Sequence, residues 1–264
     1  EIKDGYADGC RYISERQVRT GKWLHDHIPQ NAIIGTHDVG AIAYYSGRRI
    51  ADMVGLISPE MIDNIGRLDK LRMFLVKKKA THIAALRNWF EIDNQNPLFQ
   101  TDVAHPEIMQ VVAFDPVRTH FTPQNVTRIR DEADYYLARG DVQQAGALFG
   151  QAVSIDPQSA GAHRGLGMAL MAVGKLENAE TEFRTALNLH PAYGAARCGL
   201  AEIAVRRNQP QTAIAQLDSI VQQNPAYPES YRALAMVYQN FHLDSVRANT
   251  YLQRYAQLVK EGSP

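Results

Sequence analysis

Asp38 and Asp52 are the polar residues best placed for chemistry. Each falls at the end of, or just past, a short apolar run that reads as a strand, residues 32–35 for one and 49–53 for the other. Open parallel sheets hold their ligands at that edge. Two carboxylates there would bind a sugar, a cation or a proton. Equally, Asp38 caps the next helix and Asp52 fixes the turn into Gly55. His25 and His27 flank Asp26 like a metal cluster, but residues two apart on a helix do not face each other. His37 beside Asp38 is as weak a pair, and His82, His105, His163 and His190 are scattered. There is no His-Glu-x-x-His, no Gly-x-Ser-x-Gly and no phosphate-binding Walker loop, and Gly35 to Gly40 is not a dinucleotide fingerprint. Cys10 and Cys198 have no identifiable base nearby and read as inert thiols. No catalytic residue, metal or cofactor is therefore expected.

Composition narrows the classes further. Hydrophobic residues make up 45% and charged residues 21%, the mixture of a globular chain. Lys+Arg is 28 and Asp+Glu is 28. This balance leaves no basic field for nucleic acid, and Lys77, Lys78 and Lys79 are the one polybasic run. Two cysteines exclude a disulfide framework. No apolar run approaches the ~20 residues of a membrane span. The chain opens on Glu1 rather than Met, which reads as a piece of a longer protein.

Residues 1–125 read as an α/β domain that would hold Asp38 and Asp52 on a mainly parallel sheet. Residues 6–28 are helical, with Tyr12, Glu15, Arg16, Arg19, Trp23 and Leu24 on one face and Pro29 as the stop. A strand over 32–35 follows, then a helix over 39–46 closed by Gly47, then a strand over 49–53. Ser58 reads as the N-cap of another helix with Pro59 in its first turn. A helix over 68–79 precedes a strand over 81–86. Another strand falls at 110–114, and 118–121 is a further candidate. Residues 91–107 read as a loop, and 122–125 as the domain joint. Trp23, Tyr44 and Tyr45, like Trp89 and Phe90, serve either packing or docking.

Residues 126–264 repeat themselves. Pro157, Pro191 and Pro225 are 34 residues apart. Twelve residues before each stands Ala145, Ala179 or Ala213, and eight before stands Phe149, Phe183 or Leu217. Five before stands Ala152, Ala186 or Ile220. Small residues recur at Ala133, Gly167, Ala201 and Ala235. Each is followed three residues later by Tyr136, Leu170, Ala204 or Tyr238. Gly140, Gly174 and Asn208 mark the internal turn. The pattern resembles the tetratricopeptide repeat in all but its tryptophan, with units at 126–159, 160–193, 194–227 and 228–261. In the last, the alanine slips to Ala248, and Tyr251, Leu252 and Tyr255 carry the apolar face of a capping helix. The resemblance implies a helical solenoid with a concave groove lined by the first helix of each unit. The fifth position of each unit is Arg130, Arg164, Cys198 and Arg232, and the ninth is Asp134, Met168, Glu202 and Met236. Such a groove holds a protein or peptide, with arginines gripping carboxylates. Alternatively, these arginines pair with Asp134 and Glu202 and only solvate the surface.

A second resemblance covers roughly residues 15–90. The stretch from Trp23 through Ile28-Pro29 and a strand to Asp38-Val39-Gly40-Ala41, Tyr44-Tyr45-Ser46-Gly47 and Asp52-Met53-Val54-Gly55-Leu56 carries it. It is similar to the soluble segment after the last membrane span of bacterial protein-mannosyltransferase-like glycosyltransferases, which use polyprenyl-phosphate sugars. The resemblance implies a parent enzyme whose catalytic part lies in a missing membrane-embedded N-terminal part. It places this chain on the extracytoplasmic, periplasmic side of the inner membrane, as a non-catalytic region whose solenoid recruits a partner. Two alternatives stand beside it. One is a cytoplasmic tetratricopeptide scaffold or adaptor with an α/β partner-binding module. The other is a soluble enzyme acting through Asp38 and Asp52.

Overall fold

The computed structural model of the chain describes residues 10–101 and 107–260. It divides into two compact units, one of residues up to Ile92 with Asn96–Gln124, the other of Asp93–Gln95 with residues from Asn125 onward.

The first unit opens with helix from Cys10; the expected start near Tyr6 lies outside the described residues. A π-helical stretch, Ser14–Val18, leads into α1, Arg19–His27. Then follow β1 (Ile33–Thr36), α2 (Ala41–Ser46), β2 (Arg49–Asp52), a 3₁₀ segment (Pro59–Asn64), α3 (Leu68–Lys77), β3 (His82–Leu86), β4 (Phe99–Gln100) and β5 (Met109–Ala113). One sheet runs in the order β2-β1-β3-β5-β4. β1 is parallel to β2 and β3, with Ile34 opposite Ile50 and Gly35 opposite Ile83. β5 is antiparallel to both β3 and β4. The sheet is thus mixed rather than mainly parallel. α2 and α3 supply the crossovers that parallel pairing requires. Between β3 and β5 no helix occurs among the described residues, and the chain returns antiparallel.

Alternation along β3 splits the core. Ile83 and Ala85 pack with Leu71, Phe74 and Leu75 of α3. Ala84 and Leu86 pack with Leu24 of α1 and Ile42 of α2. Burying such a side chain contributes roughly 1.5–3 kcal/mol each. Gly21 lets α1 and α2 touch, since a Cβ there would stand 2.8 Å from the Tyr45 Cβ. Buried Arg48 holds both helix ends: its guanidinium donates to His25 O and Ser46 O, each at 2.8 Å, and to Ile28 O at 2.6 Å.

Three local expectations are corrected. Ser58 is not a side-chain cap, and the segment after it is 3₁₀ rather than α. Residues 118–121 form no strand, because Asp115 Oδ1 accepts from the Val117 and Arg118 N–H groups and closes a turn. The expected 91–107 loop contains β4; its residues 102–106 lie outside the described residues.

In the second unit eight helices follow: α4 (Gln124–Ala138), α5 (Val142–Ile155), α6 (Ala160–Ala172), α7 (Leu176–Leu189), α8 (Gly194–Arg206), α9 (Pro210–Gln223), α10 (Pro228–Asn240) and α11 (Ser245–Lys260). The recurring positions are its core. Ala145, Ala179, Ala213, Phe149, Phe183 and Leu217 are fully buried. The turns within each pair need a left-handed residue, at Gly140 (φ 82°), Gly174 (φ 78°), Asn208 (φ 60°) and His242 (φ 50°). Gly167 makes room for Phe183, whose Cε1 would lie 2.9 Å from an added Cβ. In α11 the buried edge is Ala248 and Leu258, with Tyr251 packed beside it, while Leu252 is exposed. Residues 248, 251, 255 and 258 make the inner stripe, and 252, four after 248, lies at its edge.

Candidate functional site

The structure places Asp38 and Asp52 after β1 and at the end of β2, and commits both to local backbone. Asp38 Oδ1 accepts from the Gly40 and Ala41 N–H groups, each at 3.1 Å, in the turn before α2, while the N-cap position itself is Gly40. Asp52 is fully buried. Its Oδ1 accepts from Val54 N and Gly55 N at 3.0 Å, and its Oδ2 from Ile57 N and from Ser58 N at 3.0 Å. Four backbone N–H donors satisfy the two Asp52 carboxylate oxygens. His25 Nδ1 lies 3.4 Å from Ser46 O, while His27 Nδ1 lies 2.9 Å from Trp23 O. His37 is buried beside Trp89, and burial lowers its pKa. Among the described residues no group of three or more metal-ligating side chains gathers. His105 lies outside them.

The second unit contains a cavity of about 540 Å³ between α6, α8 and α10. Arg164, Met168, Cys198, Glu202, Arg232 and Met236 all line it. The 34-residue period brings them together because equivalent positions of stacked units share one face. Arg164 lies 3.4 Å from Asp134, and Glu202 lies 2.7 Å from Arg206. Of the three charged candidates that line it, Arg164 and Glu202 are therefore already paired. Arg232 is exposed and has no hydrogen bond or ion pair among the described residues. Met236, at 51% exposure, supplies adaptable apolar surface. Burial pushes the Cys198 thiol up to about 12, and the nearby Glu229 adds to it, so this sulfur stays protonated and is no nucleophile. Burial also raises Tyr227, another lining residue that sequence reasoning missed. The cavity thus offers one available guanidinium and flexible apolar side chains, with the exposed Glu229 carboxylate also in its lining.

Arg130 is not part of this cavity, which corrects its assignment to the groove. It is buried, and its Nη1 lies 3.2 Å from Asp93 Oδ2. The same oxygen accepts from Ser159 Oγ at 2.7 Å and Gly161 N at 3.0 Å. Glycine is required at 161, since any Cβ there would collide with the Arg130 guanidinium. Asp93 O also meets His190 Nδ1 at 3.2 Å. His163 bridges Glu182 at 2.6 Å and Pro157 O at 3.1 Å. Burial alone would lower its pKa, but the hydrogen bonds to Glu182 and Pro157 outweigh that and raise it. No sequence signal linked Asp93 to this cluster. Its partners are 37 to 97 residues away.

Residues 11–146 match the model of a family described as Domain of unknown function (DUF8728). The tetratricopeptide repeat model matches residues 136–188 and 170–237. No curated protein matches the chain. Among solved structures, a crystal structure of MamA is 20% identical over 53% of this chain and 81% of that chain, with a TM-score of 0.44. PilF of Pseudomonas aeruginosa is 23% identical over 51% of this chain and 63% of that chain, with a TM-score of 0.44. No helix among the described residues is long and apolar enough to cross a membrane. The C-terminal array is a tetratricopeptide solenoid, a scaffold for protein–protein interaction.

Proposed function

We propose that this chain, which belongs to the DUF8728 family, is a non-catalytic binding module whose solenoid takes a peptide segment of a partner protein. The cavity between α6, α8 and α10 is the seat, and Arg232 grips a carboxylate of the peptide. Met168 and Met236 receive an adjacent apolar side chain. The observation that carries this reading is Arg232 itself: an unpaired guanidinium beside exposed methionine, where Arg164 and Arg206 are already matched. A guanidinium held ready for a carboxylate gives a charge-assisted bond stronger than a neutral one. The test is to pan a random peptide library against the immobilised chain and against Arg232→Gln. Enrichment of peptides pairing an acidic or free C-terminal carboxylate with a large apolar residue is expected, and only with the unaltered chain. Equal enrichment on both would refute the reading.

The wider setting rests on the resemblance of residues 15–90 alone. On that ground the module belongs to the extracytoplasmic side of a membrane glycosyltransferase-like protein, with the remainder of the enzyme upstream. Protease added to intact spheroplasts carrying the C-terminally tagged parent should digest the tag. Protection until lysis, with the parent in the soluble fraction, would instead favour a cytoplasmic scaffold.

A further inference from the structure

We infer that the 3₁₀ segment and the end of α3 form a docking surface for an anionic lipid membrane, independent of what fills the groove. A 3₁₀ helix has three residues per turn, so side chains three apart eclipse one another. Ser58, Met61 and Asn64 form its inner edge, with Ser58 and Met61 buried. Pro59 and Ile62 share the next register within the segment, and they are exposed, as are Leu56 before it and Ile65 at its end. Leu56 is 71%, Ile62 56% and Ile65 61% exposed, with Ile57 exposed beside them. A solvent-facing edge ordinarily carries polar residues, and isolated apolar ones need no explanation. Four exposed aliphatic residues on one short stretch, Leu56, Ile57, Ile62 and Ile65, do.

Charge identifies the occupant. Residues 56–79 hold six cations, Arg67, Lys70, Arg72, Lys77, Lys78 and Lys79, against three carboxylates, Glu60, Asp63 and Asp69. The whole chain is neutral, so this stretch carries a local excess of positive charge, even with Arg67 paired to Asp69 and Lys78 to Glu60. The lysine run lies beside the apolar edge: Lys78 Nζ is 2.8 Å from Glu60 of the 3₁₀ segment. Met73 and Val76, also exposed, sit one turn apart on α3 just before it. Protein interfaces are enriched in aromatic residues and depleted in lysine. This surface has the opposite composition, aliphatic side chains rimmed by lysine. Lysine stems lie along apolar surface while their ammonium groups reach the phosphates. Aliphatic insertion with basic flanks is how a peripheral segment lies in a membrane interface.

Co-sedimentation of the purified chain with lipid vesicles tests this. One set is phosphatidylcholine with about a third phosphatidylglycerol, and the other is phosphatidylcholine alone. Binding to the anionic set at low salt is expected, and it should weaken as salt rises. Ile62→Ser with Ile65→Ser, and separately Lys77→Gln with Lys79→Asn, should each weaken it about tenfold or more. Asparagine suits position 79, whose φ is 57°. All four side chains are exposed, so the variants should keep the helical circular dichroism of the parent. No binding to anionic vesicles, or equal binding by the isoleucine variant, would overturn the inference. So would a dimer in sedimentation velocity that the isoleucine variant abolishes, which would make the edge a self-interface.

Discussion

Removing the Asp93 carboxylate should destabilise the second unit more than any surface change. The side chains of Arg130 and Asp93 are only 5% and 6% exposed, so solvent does little to screen them. Asp93→Ala would leave the Arg130 guanidinium buried beside Ser159 Oγ and Gly161 N, both stripped of the acceptor they share. Breaking a buried ion pair from one side costs about 3–5 kcal/mol. With a urea slope of about 2 kcal/mol per molar, that moves the midpoint down by about 2 M. Urea unfolding followed by circular dichroism at the helix band reads this. Asp93→Leu combined with Arg130→Met should recover much of the loss, since apolar replacement of a buried pair is often neutral. A midpoint for Asp93→Ala within about 0.3 M of the parent would refute the reasoning. The pair would then be water-exposed in solution, and Arg130 would return to the surface.

Other expectations follow from the same coordinates. Gly199→Ala should cost about 1–3 kcal/mol in calorimetry, because the new Cβ would press on the Phe183 ring. His163 has a raised pKa, so its stabilisation is full below about 6.5 and is lost as pH rises through its folded value. His163→Gln should therefore lower the melting temperature more at pH 5.5 than at pH 8. His190 is lowered by burial, so its contribution is present above about 6.5 and is lost as pH falls through its folded value. His190→Gln should show the reverse. Maleimide should label exposed Cys10 at neutral pH well before Cys198, whose thiol is held near 12 by burial. Comparable labelling rates would contradict the protonated, packed thiol.

The repeats were legible because self-similarity at a fixed period needs no tertiary knowledge. Phe149, Phe183 and Leu217 occupy equivalent places, and each is fully buried. The α/β unit was legible where a helix links two strands, from β1 through α2 and α3 to β3, and the strand expected at 110–114 is β5. The antiparallel return of β5 left no local signal, and β4 is two residues long. Asp38 and Asp52 were visible as polar residues at strand ends. The reading of Asp52 as fixing the turn into Gly55 matches its bond from Gly55 N, while its bonds from Ile57 N and Ser58 N depend on loop geometry that no spacing encodes. Arg130 shows the limit of register. It is equivalent to Arg164 and Arg232, yet a glycine at 161 and a carboxylate 37 residues upstream draw it inside. At the place equivalent to 161 the next unit has Ala195.

The central claim, that the cavity between α6, α8 and α10 seats a partner's peptide through Arg232, is tested most directly by calorimetric titration. A peptide enriched by panning would be titrated into the chain and into Arg232→Gln, Met236→Glu and Val246→Glu. Val246 is exposed and outside the cavity lining. The account predicts affinity losses of about tenfold or more for the first two and none for Val246→Glu. Unchanged affinity in Arg232→Gln and Met236→Glu would place the peptide elsewhere and contradict the account.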